Sequence, residues 1–338
     1  MGFKDSPQYY HEVLKLIPPR PTPAFEDPEM QVRVWGRRWG VSNDVDQIKT
    51  VMVHRPGEEI NRMSADKYDP TLEAIIDRDE QWYWRRDTPP DLKKMQAEHD
   101  TMVAALRTEG AEVINMAGCS PKDPKAMFVR DVAIALPGGA IISRMGPVGE
   151  APGTGRRGEE FYATKQLAEL GMPILRTIQG SGLFEGGSFA FIDEKTAAIG
   201  MALRQNEVAA RQIEEVLTLM GIKLVRVPLT GHSLHLDGAF TMLDHNLALV
   251  NSTRLTYSFL EMLKEKKIHT IEIHHEDHYM ITNCLAVSPG RVIVAINNGE
   301  GTVERMMKAG VEVVPIEYGE CQTNGGSIHC STLPLIRE

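Results

Sequence analysis

The chain is short of the features that mark most specialised protein classes. Among 338 residues there are four cysteines, Cys119, Cys284, Cys321 and Cys330, and no two form a Cys-x-x-Cys pair. That excludes a disulfide framework and leaves each as a buried thiol or a nucleophile. No apolar run reaches the ~18–20 residues needed to span a bilayer. The opening Met1-Gly-Phe-Lys-Asp-Ser-Pro has no apolar stretch of the signal-peptide kind, so a soluble, cytoplasmic protein is expected. Positive charge is scarce: 37 Lys and Arg stand against 46 Asp and Glu, a formal net charge of −9. Nucleic acid is thereby excluded as the main partner. A small cationic substrate suits that surface, although an acidic surface is equally a solubility device. With 42% hydrophobic and 25% charged residues the chain is an ordinary folded one, neither disordered nor fibrous.

What is present is a repeat. The first 45 residues stand apart, with prolines at Pro18, Pro19, Pro21 and Pro23, then Trp35 and Trp39 among arginines, and read as an irregular arm. From residue 46 to 338 a pattern recurs: two apolar segments, a polar-apolar helix, then a strand. Five helix-to-strand junctions align, beginning at Leu106, Leu167, Leu217, Leu263 and Met306. In four of them a glycine sits where a helix must turn into the left-handed region before a β-branched strand. Ahead of the helices, paired strands are read from Val129, Ser188, Ala239 and Cys284, and Ile48 opens the first unit. One such unit cannot bury its own apolar face. About five ββαβ units sharing one core predict a single α/β domain with radial pseudo-symmetry, a five-bladed α/β propeller.

The starts of the units carry the polar residues. In order they are Arg130-Asp131, Glu185-Gly186-Gly187, His232-Ser-Leu-His235-Leu-Asp237, and Asn324-Gly-Gly-Ser-Ile-His329-Cys330. Three carboxylates, a histidine and a cysteine converging at one mouth make a nucleophilic site with a cradle for a cation. Each has a plainer rival: Cys330 a structural thiol, His235 a core histidine, Glu185 a turn carboxylate, Asp131 one half of an ion pair with Arg130.

Phe128-Val-Arg-Asp131, Phe184-Glu185-Gly-Gly, His235-Leu-Asp237 and Gly325-Gly-Ser-Ile-His-Cys330-Ser-Thr-Leu-Pro together resemble the guanidino-group modifying (pentein) superfamily. That superfamily holds arginine deiminase, dimethylarginine dimethylaminohydrolase and the amidinotransferases. The resemblance runs from about residue 41 to 338, and its five-bladed fold agrees with the repeat count. It implies that Asp131 and Asp237 grip a guanidinium. A planar cation with forked N–H donors suits paired carboxylates. Cys330 is the implied nucleophile, its pKa lowered by the substrate cation or by protonated His235. His235 is the implied acid-base group and Glu185 its orienting partner. On a strand, Asp237 would share a face with His235.

The expected activity is a cofactor-free, metal-free cysteine hydrolase cleaving a C–N bond of a small guanidino compound. An amidinotransferase using the same covalent intermediate is the alternative, and a non-catalytic pentein-fold binding protein a third reading. His232-x-x-His235-x-Asp237 and His274-His275-Glu-Asp-His278 are weaker metal candidates, and the Gly299 helix start a weak anion site. Arg204 is the candidate for a substrate carboxylate. Relatives often carry Asp where this chain has Ser188, which points to a substrate with fewer N–H donors at that edge. The Gly- and Pro-rich segment 146–158 suits either a lid or a connector, and Trp82-Tyr-Trp either a pocket wall or a subunit contact. A homo-oligomer is left open.

Overall fold

The computed structural model describes residues 2–146 and 155–338, so most of the segment read as a lid or connector lies outside the described residues. The architecture is α/β. Helices α1 (Pro7–Leu14) and α2 (Pro28–Trp35) come first, so the arm, read as irregular, is helical on either side of its proline run, which is itself irregular. Pro7 and Pro28 each stand at a helix start, where a missing N–H costs nothing, and Asp27 caps α2 through Met30 N–H. The arm then docks. Trp39 is buried, its carbonyl accepts from Gly138 N–H at 2.9 Å, and Gly40 N–H donates to the Leu335 carbonyl. Gly40, at φ +104°, lies so close to the Leu136 carbonyl that any side chain would collide with it.

Five three-stranded sheets follow one plan. In each, two antiparallel strands are followed by a helix and a third strand that runs parallel to the second. The complete units are β6 (Ala133–Leu136), β7 (Gly139–Ile142), α4 (Glu159–Glu169), β8 (Ile174–Thr177); β9 (Phe189–Asp193), β10 (Thr196–Met201), α5 (Glu207–Leu219), β11 (Lys223–Pro228); β12 (Phe240–Asp244), β13 (Leu247–Val250), α6 (Tyr257–Glu265), β14 (His269–Glu272); and β15 (Leu285–Ser288), β16 (Arg291–Ala295), α7 (Glu300–Lys308), β17 (Glu312–Ile316). The remaining unit draws on both ends of the chain. Here β1 (Ile48–Val53) lies parallel to β5 (Glu112–Asn115) after α3 (Leu92–Thr108), and antiparallel to β18 (Leu333–Arg337). A small antiparallel meander, β2 (Tyr68–Asp69), β3 (Ala74–Asp77) and β4 (Trp82–Trp84), is inserted in it.

The helix-to-strand junctions are alike in detail. Each closes with a six-to-one hydrogen bond, from the N–H of Ala111, Met172, Ile222, Ile268 and Val311 to the carbonyl of Leu106, Leu167, Leu217, Leu263 and Met306. Gly110, Gly171, Gly221 and Gly310 take the left-handed turn, and Lys267 takes it at φ 61° in the unit without a glycine.

The first strand of each complete unit starts slightly later than its apolar run. Val129–Asp131, Gly186–Ser188, Leu236–Gly238 and Tyr279–Thr282 form short 3-10 turns immediately before those strands. Asp131 and Asp237 lie in these turns, Glu185 and His235 immediately before them, and His329-Cys330 just before β18. Among the described residues no helix is long and apolar enough to cross a membrane.

Candidate active site

Gly187 marks the point of convergence. A β-carbon built on it would lie 2.7 Å from Asp131 Oδ1, 2.9 Å from His235 Nδ1 and 3.1 Å from Asp237 Oδ2. Three 3-10 turns from three units thus bring three charged side chains around one glycine.

His235 is gripped on both sides. Its Nε2 is 2.7 Å from Glu185 Oε2 and its Nδ1 3.5 Å from Asp131 Oδ1. Burial works against the imidazolium, but Asp131 and the Glu185 hydrogen bond outweigh it and lift the pKa to about 9. Glu185 is held down to about 2: burial opposes ionisation, and the His235 hydrogen bond and the Arg204 charge overcome it. The other Glu185 oxygen accepts from Arg204 Nη1 at 3.0 Å and Gly146 N–H at 3.3 Å. Arg204 is thus paired with Glu185 through Nη1, while its buried Nε has no hydrogen-bond partner among the described residues.

His235 and Asp237 do not share a strand face. His235 caps the Leu236–Gly238 turn, and Asp237 points elsewhere. Its Oδ2 accepts from His329 Nδ1 at 2.9 Å and lies 3.5 Å from Cys330 Sγ. With His235 bound to Glu185 and Asp237 to His329, the His232, His235, Asp237 group does not gather as a metal site. His274, His275 and Glu276 do approach one another, on a largely exposed turn after β14. The helix start at Gly299 is closed by the Asp277 carboxylate, which accepts from Thr302 N–H.

Cys330 is 6% exposed. Asn283 holds it twice: Oδ1 accepts the Cys330 N–H and Nδ2 donates to Sγ, both at 3.1 Å. Burial, then Asp237 and Asp131, push its pKa well above the ordinary thiol range, so it rests protonated. The nearby imidazolium does not reverse this.

Asp131 has one hydrogen-bonded contact on each oxygen. Oδ1 accepts Gly187 N–H at 3.0 Å, and Oδ2 forms an ion pair with Arg156. Arg130, its sequence neighbour, instead faces Asp44 at 3.7 Å. Ser188 is buried with its hydroxyl toward the Leu234 carbonyl, so the absent carboxylate there bears on packing rather than on a cavity edge. Of the aromatic cluster, Tyr83 lines the cavity whereas Trp82 and Trp84 are core.

A cavity of about 520 Å³ opens over Cys330, His235 and Asp237, walled by Tyr83, Tyr279 and Arg254. The Arg254 guanidinium stands 3.9 Å from the Tyr279 ring centre and makes no ion pair among the described residues. Asn283, His329, Arg156 and Arg254 were not read as site residues from sequence. Two of them had a signal: His329 stands in the polar series beside Cys330, and Asn283 follows the turn that opens the last unit.

Residues 78–337 match the model of a family described as N,N dimethylarginine dimethylhydrolase, eukaryotic, and the chain belongs to that family. It is thereby an enzyme of the guanidino-group modifying, or pentein, superfamily, and of its hydrolases. The uncharacterised protein YkgA of Bacillus subtilis is 27% identical over 79% of this chain and 88% of its own. A putative arginine deiminase of Mycoplasma pneumoniae is 23% identical over 88% of this chain and 98% of its own. The fold is shared with dimethylarginine dimethylaminohydrolase from Pseudomonas aeruginosa, solved with citrulline, at TM-score 0.66 and 22% identity, covering 86% of this chain and all of that one.

Proposed function

We propose that the chain is a cysteine hydrolase that opens a C–N bond of an arginine-type guanidine through a covalent thiouronium on Cys330, and that its five units are blades of a pseudo-fivefold propeller around that site. The observation that carries the reading is the meeting of Asp131, His235 and Asp237 at Gly187, with Cys330 Sγ 3.5 Å from Asp237.

A guanidinium laid between Asp131 and Asp237 brings a positive charge to the two carboxylates that keep the thiol protonated. The same cation therefore binds and promotes loss of the S–H proton to solvent, where the released ammonia or amine takes it up. Sγ then attacks the central carbon. His235, cationic at neutral pH, gives its proton to the departing nitrogen, which leaves as ammonia or an amine. Neutral His235 next takes a proton from water, whose oxygen adds to the thiouronium carbon. Expulsion of the Cys330 sulfur yields a ureido product. Glu185 holds Nε2 throughout, so Nδ1, the nitrogen facing Asp131, is the one that exchanges protons. No cofactor enters these steps.

Arg254, at the cavity wall, is the cation available to a substrate carboxylate. The family description and the citrulline in the Pseudomonas structure support a substrate of that shape.

The test is incubation of the purified chain with arginine, methylated arginines, agmatine and small guanidines, followed by mass spectrometry. A ureido product from a carboxylate-bearing compound, lost in Cys330→Ala and with a raised KM in Arg254→Ala, is expected. Amidino transfer to an added amine, with no ureido product, would replace the hydrolase by an amidinotransferase. No ureido product, no amidino transfer and no mass increase on Cys330 would leave only binding.

A further inference from the structure

Away from the guanidino site, three donors of different chemistry meet where β1 ends. His54, the residue after β1, is 6% exposed. Its Nδ1 lies 3.3 Å from the Met116 carbonyl oxygen. A carbonyl only accepts, so this contact places a proton on Nδ1. Nε2 is buried and has no hydrogen-bond partner among the described residues. It faces Glu59 Oε1 at 3.6 Å, too far for a hydrogen bond. Glu59 is itself buried and oriented by Gly57 N–H, 2.7 Å from the same oxygen. The sulfur of Cys119, on the following loop, completes the group: the donor atoms of His54, Glu59 and Cys119 all lie within 4.8 Å of one another.

With its proton on Nδ1 alone, His54 turns the Nε2 lone pair toward a buried carboxylate, a costly arrangement unless Nε2 gains a proton or a cation lies between them. A cation between them removes the cost. One imidazole, one carboxylate and one thiol form the mixed N, O, S set that tetrahedral Zn²⁺ accepts. Bond lengths of about 2.0–2.3 Å place tetrahedral donors roughly 3.3–3.7 Å apart, which the His54–Glu59 spacing already meets. The Met116 carbonyl on Nδ1 is the outer contact that metal-binding imidazoles normally make. Cys119 is only partly buried, which gives the ion a way in.

We propose that His54, Glu59 and Cys119 form a site for one zinc-class divalent ion, separate from the guanidino site and with water as fourth ligand. Binding turns the Cys119 thiol into a thiolate and releases one proton to solvent; no bond order or oxidation state changes otherwise. The ion ties the loop after β5 to the end of β1. That loop leads through Phe128 to Asp131, so its tether fixes one wall of the guanidino site.

The experiment uses the full chain carrying Cys330→Ser, stripped with a chelator and titrated anaerobically with Co²⁺. A thiolate-to-cobalt charge-transfer band with tetrahedral visible bands is expected to saturate at one equivalent and to vanish on adding Zn²⁺. Cys119→Ser, with unchanged circular dichroism, is expected to lose the charge-transfer band, and Glu59→Gln to weaken binding about tenfold or more. Zn²⁺ is expected to raise the unfolding midpoint of the Cys330→Ser chain and not that of the double Cys330→Ser, Cys119→Ser chain. No band in the parent, or a band that persists in Cys119→Ser, overturns the proposal. Neither result bears on turnover by Cys330.

Discussion

The guanidinium of Arg156 rests on the carboxylate of Asp131, the residue that the family resemblance assigns to a substrate guanidinium. Arg156 also forks onto Glu159 at 2.5 and 2.7 Å and donates to the Phe128 carbonyl at 2.9 Å. Burial opposes its charge, yet the Glu159 and Asp131 carboxylates hold it firmly cationic. The protein therefore carries an internal cation of the same chemical kind as its proposed substrate, and the two share Asp131.

Removing that cation leaves two buried carboxylates without their partner. Arg156→Ala is expected to lower unfolding stability by about 3–5 kcal/mol, with part of the loss recovered when Glu159→Ala is added. Urea unfolding of the single and double variants measures it. An unchanged midpoint in the single variant would show that the contact contributes nothing.

The His235–Glu185 pair sets a pH window. The folded pKa of His235, about 9, lies above its ordinary 6.5. Its stabilisation is complete below 6.5 and fades as pH rises through about 9. Unfolding free energy is expected to decline over that range in the parent chain and to flatten in His235→Gln. If the imidazolium protonates the leaving group, kcat/KM also has an alkaline limb near pH 9. A limb near 6.5 would mean the charged form is not held.

Gly187→Ala places a methyl group within about 3 Å of Asp131, His235 and Asp237 together. Displacing three reacting or binding groups by even 1 Å is expected to reduce kcat/KM by about 100-fold or more. Turnover measured beside a urea unfolding curve separates this from collapse of the fold. Activity near that of the parent would show that these groups need no close convergence.

Lys267 occupies at φ 61° a turn that glycine occupies in the other four units. Lys267→Gly is expected to stabilise the chain by about 0.5–1 kcal/mol, since the left-handed conformation no longer strains a side chain. Thermal unfolding detects this as a higher midpoint. A lower midpoint would mean that the chain gains more from the lysine than it loses in strain.

The junctions that contain these turns were legible because their signal is local: a helix, a glycine, then a β-branched run. The same locality made Glu185, His235 and Cys330 stand out, each beside a small motif. Other features depend on contacts between distant segments. The pairing of β1 with β18 joins residues from opposite ends of the numbering, and no short pattern announces it. Arg156 reads as one of two adjacent arginines in a glycine-rich stretch, and its partner is chosen through space. Val129–Asp131 and the run from His235 to Asp237 read as strand because their apolar flanks continue the strand pattern. That misread the relation of His235 to Asp237, whose side chains leave the turn toward Glu185 and His329 respectively.

Ile48 pairs with Arg337, and Cys330 lies just before the strand that makes this pairing. During synthesis the four complete units can each form hairpin, helix and third strand soon after emerging. The early strand β1 must wait for a partner made last, while its apolar face stays open to wrong partners. Cys330, the proposed nucleophile, arrives with that partner, so a nascent chain holds the acidic cradle long before the proposed reaction is possible. Completion of the β1 sheet and onset of the proposed chemistry are thus one late event, and hydrogen exchange pulsed during refolding should find β1 among the last strands to gain protection.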